Sequence, residues 1–145
     1  MKRFLGLDIG TKRIGVSVSD PLGNFAQGVA VLDAMGDWMV ELDKLVERFS
    51  VSTIVVGMPY RTDSSMGPEA QKVNIIISEL KHRYPSLEVV CWDERFTTVI
   101  AEQTMIEASV RRKKRKKNID MVAATVMLQD YLEHQSKGDS ENGRT

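Results

Sequence analysis

Residues 3–9 and 13–19 are two apolar runs separated only by Gly10-Thr11-Lys12. So short a connection joins strands only as an antiparallel hairpin, because a parallel pair needs a crossover of a dozen or more residues. The turn cluster Asp20-Pro21-Leu22-Gly23-Asn24 and a further apolar run, Phe25 to Leu32, extend the hairpin to a three-stranded meander. The periodicity then changes. Trp38, Leu42, Leu45, Val46 and Phe49 recur at helical spacing. Ser52 to Val56 is a short β-branched strand, ended by Gly57-Met58-Pro59, and Tyr60 to Gly67 is a polar loop. Val73, Ile77, Leu80 and Tyr84 mark a second helix stopped by Pro85, and residues 87–92 a fifth strand. Ala101, Met105 and Ala108 mark a third helix, and a last helix runs from Asn118 to about His134. The order βββαβαβαα predicts an α/β fold. Three antiparallel strands followed by βαβ crossovers give a five-stranded mixed sheet flanked by helices.

At 145 residues the chain suits one domain, expected over 1–135, and its 42% hydrophobic content supports a core without disulfides. Residues 136–145 lack apolar side chains and are expected to form a disordered tail. The single cysteine, Cys91, lies in an apolar strand and is expected to be reduced and buried, not a nucleophile. Met1-Lys2-Arg3 leads straight into a strand, which is too short an apolar run for a signal sequence, and no stretch reaches membrane-spanning length. A cytoplasmic chain without membrane contact is the resulting expectation. Formal net charge is zero, but seven of the twenty basic residues are consecutive, Arg111 to Lys117, so the remaining body is acidic. Such local concentration matters more to phosphate binding than the average does.

Acidic residues stand in unusual places. Asp8 interrupts Leu5-Gly6-Leu7-Asp8-Ile9, Asp93 and Glu94 follow the fifth strand directly, and Asp120 opens the last helix. Desolvating such a charge costs roughly several kcal/mol unless it is paired or bound to metal. Carboxylates are hard oxygen ligands of the kind Mg²⁺ takes. Each has a plainer explanation. Asp8 could form a strand-end turn, although turns prefer Asp outside the apolar run. Asp93 and Glu94 point to opposite faces by alternation, so only one can join Asp8, and the other could pair with Arg95. Asp120 could serve the helix dipole behind an Asn118 cap, although it shares a helical face with Ala124, Met127, Leu128 and Tyr131. Ligands of open α/β sheets bind beyond the carboxyl ends of the parallel strands, where Asp8, Asp93-Glu94 and Gly57-Met58-Pro59 fall.

Leu5-Gly6-Leu7-Asp8-Ile9-Gly10-Thr11-Lys12-Arg13-Ile14-Gly15-Val16 resembles the opening of the YqgF family, also called RuvX. Val56-Gly57-Met58-Pro59, Trp92-Asp93-Glu94-Arg95-Phe96-Thr97-Thr98 and Arg112-Lys113-Lys114-Arg115-Lys116-Lys117-Asn118-Ile119-Asp120 resemble its later motifs. Ala123-Ala124 and Leu128-Gln129-Asp130-Tyr131-Leu132 complete the series. The resemblance runs over residues 3–133 in order and departs near Ser64, where the family usually has glycine. It implies an RNase H-like fold and a nuclease trimming the 5′ end of pre-16S rRNA in ribosome biogenesis. Resolution of four-way Holliday junctions is the family's other implied activity. It favours Glu94 over Asp93, which gives a catalytic and metal-ligating set of Asp8, Glu94 and Asp120 with Mg²⁺ or Mn²⁺.

The expected partners are pre-rRNA or branched DNA, with ribosomal precursor particles and a monomer or homodimer as the assembly. Lys12, Arg13, Arg95, Arg112, Lys113, Lys114, Arg115, Lys116 and Lys117 are the phosphate-binding candidates. They would hold the backbone without reading sequence. A basic run is otherwise often only a solvated loop. Trp38 and Trp92 are expected in the core, and His82 and His134 lack ligand spacing with Cys91 for zinc. Two competing functions remain. Asp8-Ile9-Gly10-Thr11 also resembles the phosphate loop of actin-like ATPases and sugar kinases, which clasp ATP between two such domains. A non-catalytic nucleic-acid-binding assembly factor would bind substrate but not cleave it.

Overall fold

The computed structural model describes residues 3–59, 67–93 and 116–142, with side chains of the last helix described over 121–135. β1 (Phe4–Ile9), β2 (Arg13–Ser19) and β3 (Ala26–Asp33) form the antiparallel meander. α1 (Trp38–Arg48) leads to β4 (Thr53–Met58), and α2 (Pro68–Arg83) leads to β5 (Glu88–Asp93). Both of these strands are parallel to β1, so the sheet order is β3-β2-β1-β4-β5. The last helix, α3 (Lys116–Asn142), packs on β1, β2 and β3. The expected third helix and the loop carrying Ser64 lie outside the described residues.

Alternation sends two chemically different sets of side chains to the two faces. Leu5, Leu7, Ile14, Val16, Val18, Ile54, Val56 and Met58 pack with Leu42 of α1 and with Val73, Ile77 and Leu80 of α2 in one aliphatic cluster. Complete burial of one such side chain is worth about 1.5–3 kcal/mol. The other face presents Phe4, Val55, Val90 and Trp92 to Met127, Leu128, Tyr131 and Leu132 of α3. There α3 comes close because glycines make room. A Cβ on Gly6 would lie 2.6 Å from Ser17 Oγ and 3.0 Å from Leu128 Cβ, and one on Gly28 would lie 3.1 Å from Met121 Cβ. Ser17, fully buried, donates its hydroxyl to the Ala124 carbonyl at 2.9 Å. Gln129 spans the sheet edge, accepting from Ala26 N–H at 2.9 Å and donating to the Asn24 carbonyl at 3.0 Å.

Three boundaries shift by two residues or more, and one burial differs from the sequence reading. β4 continues to Met58 because Gly57 and Met58 pair with Trp92 and Asp93, which holds a strand where Gly-x-Pro suggested its end. α3 starts two residues earlier than expected. It also runs to Asn142, so residues 136–142 of the expected tail are helical. No proline interrupts that stretch, and each added residue continues the i to i−4 hydrogen-bond ladder. Cys91 is exposed, not buried. β5 is an edge strand, and the described helices cover Val89 but leave Cys91 to solvent.

Candidate active site

Asp8 is the next-to-last residue of β1 and sits opposite Gly15 of β2. The β1–β4 register, continued by one step, sets it beside Gly57, which in turn pairs with Trp92. Asp8, Gly15, Gly57 and Trp92 thus form one row on the face that α3 covers. Two of the neighbours are glycines, so the carboxylate stands over a shallow floor at the strand ends. It is half-buried, and among the described residues no side chain hydrogen-bonds or pairs with it. An acid in that position without a protein partner suits a hard cation.

Asp93 lies on the opposite face. It follows Trp92 by one residue and pairs with Met58, a member of the aliphatic cluster. Asp93 is thereby separated from Asp8, as the alternation argument required of one of the two acids. Glu94 lies outside the described residues. So do Arg95, Arg112, Lys113, Lys114 and Arg115, and the side chains of Lys116, Lys117 and Asp120. Among the described residues no three potential metal ligands come together. The four residues sharing Asp120's helical spacing are all buried: Ala124 and Leu128 at 0% exposure, Met127 at 1% and Tyr131 at 8%.

The Gly10-Thr11-Lys12 turn brings two cations to the same rim. Gly10 N–H donates to the Arg13 carbonyl at 2.9 Å, and Lys12 carbonyl accepts from Ala34 N–H at 3.0 Å. Lys12 and Arg13 are exposed. Arg13 is engaged by another group, whereas the Lys12 side chain has no ion-pair partner among the described residues.

One element of the site escaped sequence reasoning. Asp130, 8% exposed, accepts the Trp92 indole N–H at 3.1 Å. Trp92 also packs edge-on against Tyr131, with centroids 5.8 Å apart, and against His134 at 4.9 Å. His134 Nδ1 lies 3.0 Å from the Asp130 carbonyl oxygen. The end of β5, immediately before Glu94, is therefore pinned to the middle of α3. The available signal was an acid adjoining the buried Leu128, Tyr131 and Leu132 on one helix. Trp92 is half-buried and satisfied by this contact, and Trp38 packs at the margin of the aliphatic cluster.

A mixed sheet ordered 3-2-1-4-5 with a helix across one face is the RNase H-like fold. The same architecture occurs in the Fowlpox virus resolvase bound to Holliday junction DNA. That protein has a TM-score of 0.60 and 14% identity over 92% of this chain and 98% of its own. It occurs also in T. thermophilus RuvC in complex with a Holliday junction substrate, with a TM-score of 0.59 and 13% identity over 94% and 96%. At the level of sequence, residues 2–134 match the family RuvX, described as Holliday junction resolvase, and the chain belongs to that family. Relatives named "Putative pre-16S rRNA nuclease" include one from Halalkalibacterium halodurans, 47% identical over 92% of this chain and 97% of its own length. Another, from Clostridium botulinum, is 42% identical over 93% and 99%. Membership places the chain among hydrolases of the nuclease class.

Proposed function

We propose that the chain is a metal-dependent nuclease that hydrolyses phosphodiester bonds in the 5′-end processing of pre-16S rRNA. The observation that carries this reading is Asp8: half-buried, without a protein partner among the described residues, and set at the strand-end rim where RNase H-like sheets take ligands. Glu94 completes the set as the acid one step beyond Asp93, and the pairing of Asp93 with Met58 of the aliphatic face supports that choice. Asp120 completes it from α3, one residue before Met121, whose Cβ lies over Gly28. Nucleases of this class generally employ divalent metal, and Mg²⁺ or Mn²⁺ suits three carboxylate oxygens. When bound, such ions supply Lewis-acid stabilisation of the phosphate and lower the pKa of water.

The chain's own residues do the rest. Asp8, Glu94 and Asp120 provide hard oxygen ligands and leave room for substrate oxygens. Lys12 and Arg13 hold the phosphate backbone at the rim, and the basic run Arg112 to Lys117, with Arg95, extends that grip without reading base sequence. No side chain needs to form a covalent intermediate. Residues 1–135 act as the nuclease domain. Among the described residues no helix is long and apolar enough to cross a membrane, and we assign the chain to the cytoplasm alongside ribosomal precursor particles.

A second reading, resolution of branched DNA, is favoured by the RuvX family description and requires two sites facing one junction, hence a homodimer. The deciding assay offers precursor rRNA, single-stranded RNA and a four-way DNA junction to the purified chain, each with Mg²⁺, Mn²⁺ or chelator. We expect metal-dependent cleavage of the precursor. Preferential cutting of the junction would favour the second reading. Binding without cleavage under every metal condition would make the chain a non-catalytic assembly factor.

A further inference from the structure

The rim opposite Asp8 carries a second chemical cluster that the nuclease site leaves unused. A cleft of about 530 Å³ opens where the N-terminal end of β1, the β2–β3 turn and the C-terminal end of α1 meet. Arg3 and Arg48 converge there on one ring: their guanidinium carbons lie 5.1 and 5.2 Å from the centroid of Phe49. Arg3 is held by donating Nε–H to the Ser19 carbonyl at 2.9 Å, which leaves its terminal N–H groups to serve a ligand. Among the described residues neither guanidinium has a carboxylate partner. Asp20 also lines the cleft, but its carboxylate accepts the backbone N–H groups of Phe25 and Asn24 at 2.7 Å each. The Phe25 N–H leads in holding that carboxyl below its ordinary range, so Asp20 stays ionised while its Oδ1 is engaged by the turn, and a phosphate must sit on the arginine side of the cleft. That turn presents Phe25, 71% exposed, at the cleft wall.

Two guanidinium groups within 5.2 Å of one ring centroid concentrate positive charge that an anion would stabilise. Exposed aromatic rings and guanidinium planes beside a phosphate-binding pair are the features by which proteins hold single-stranded nucleic acid. We infer that this cleft is a second nucleic-acid contact: it holds a single-stranded flank of the substrate, with one base stacked on Phe25 and a backbone phosphate between Arg3 and Arg48. The inference rests on the nuclease reading for the class of substrate. Arg3 and Asp8 are five residues apart along β1, about 16 Å at the rise of a strand. A flank stacked at about 3.4 Å per nucleotide needs at least about five nucleotides to reach from one rim to the other.

The reach gives the test. Phe25→Ala and Arg48→Ala alter exposed side chains and leave the core intact. Each is placed in an Asp8→Asn background so that binding is measured without turnover. Fluorescence anisotropy then compares single-stranded oligouridylates of about four and about twelve nucleotides. In the parent the longer probe binds more tightly. In either variant that advantage should fall by roughly 5- to 100-fold, the scale of one lost stack or phosphate contact, with the short probe unaffected. An unchanged length dependence, or an equal loss for both probes, overturns the inference, and the Leu22–Phe25 turn would then be left for a protein partner. Residual cleavage by Asp8→Asn would instead count against the active-site assignment, so the two failures are distinguishable.

Discussion

The face of the sheet beneath α1 and α2 is filled by branched aliphatic side chains, whereas the face beneath α3 alternates glycine, serine, acid and aromatic residues. On the first, Leu5, Leu7, Ile54 and Val56 are wholly buried and make no polar contact through their side chains. On the second, Gly6, Ser17 and Gly28 let a helix approach closely, and polar bonds from Ser17, Gln129 and Asp130 fix where it lies. Close packing of hydrocarbon stabilises without specifying a reactive geometry, while satisfied buried polar contacts define one register. The candidate site belongs to the second face. The fold thus keeps bulk stability on one side of a single layer of strands and orientation on the other.

The largest stability effect should come from the aliphatic face. Leu7→Ala deletes a fully buried side chain one residue before Asp8 and should cost about 2–5 kcal/mol in denaturant unfolding. Cleavage per folded molecule should stay near the parental rate, since Leu7 points away from the α3 face. A rate loss exceeding the loss of folded protein would break the division between faces. Gly6→Ala on the other face should cost about 1–3 kcal/mol, because the new Cβ forces Ser17 or Leu128 aside. Here the rate per folded molecule should fall as well, since α3 must shift. Trp92→Phe retains the ring packing and removes the donor to buried Asp130, at a cost of about 1–2 kcal/mol. A double-mutant cycle with Asp130→Ala, which removes the acceptor, should show positive coupling, and strict additivity would argue that the indole bond does not orient β5 against α3.

The smallest effect lies at the junction of α1 and α2. Arg83 donates to Asp43 from Nε at 2.8 Å, and Tyr84 hydroxyl donates to the same carboxylate. The Arg83 bond first, then Tyr84, holds the Asp43 carboxyl below its ordinary range. A depressed folded value contributes stability that is present above the unfolded pKa, about 4, and lost as pH falls through the lower folded value. The pair is partly exposed, so Asp43→Asn should reduce stability by under about 1 kcal/mol at neutral pH and by less still in strong acid. A pH-independent difference between the two proteins would remove the ion-pair explanation.

Much of this arrangement was legible in the sequence because strand alternation and helical spacing are local signals. The hairpin around Gly10-Thr11-Lys12, the crossover helices and the buried face of α3 follow from them directly. What failed was set by neighbours distant in the chain. Gly57 and Met58 remain in β4 only because β5 offers them partners, and Cys91 is exposed only because β5 lies at the edge. Asp8 was identifiable as an acid misplaced in an apolar strand. Asp130 was not, because its significance depends on the Trp92 indole 38 residues away. That one of Asp93 and Glu94 faces away from Asp8 was legible from alternation, and the family resemblance pointed to Asp93 as that one, whereas the cleft at Arg3 and Arg48 joins segments 45 residues apart and has no local signature.

The division between the faces is tested most directly by single-turnover cleavage of a pre-16S rRNA fragment by Asp8→Asn, with binding measured in parallel. The substitution keeps the side chain's shape and removes its charge. With Mg²⁺ or Mn²⁺ present we expect the rate to fall at least a hundredfold, roughly the scale of losing a principal electrostatic contributor, while affinity stays within about threefold of the parent. Parental cleavage rates in Asp8→Asn would contradict the assignment of the chemistry to the α3 face at Asp8.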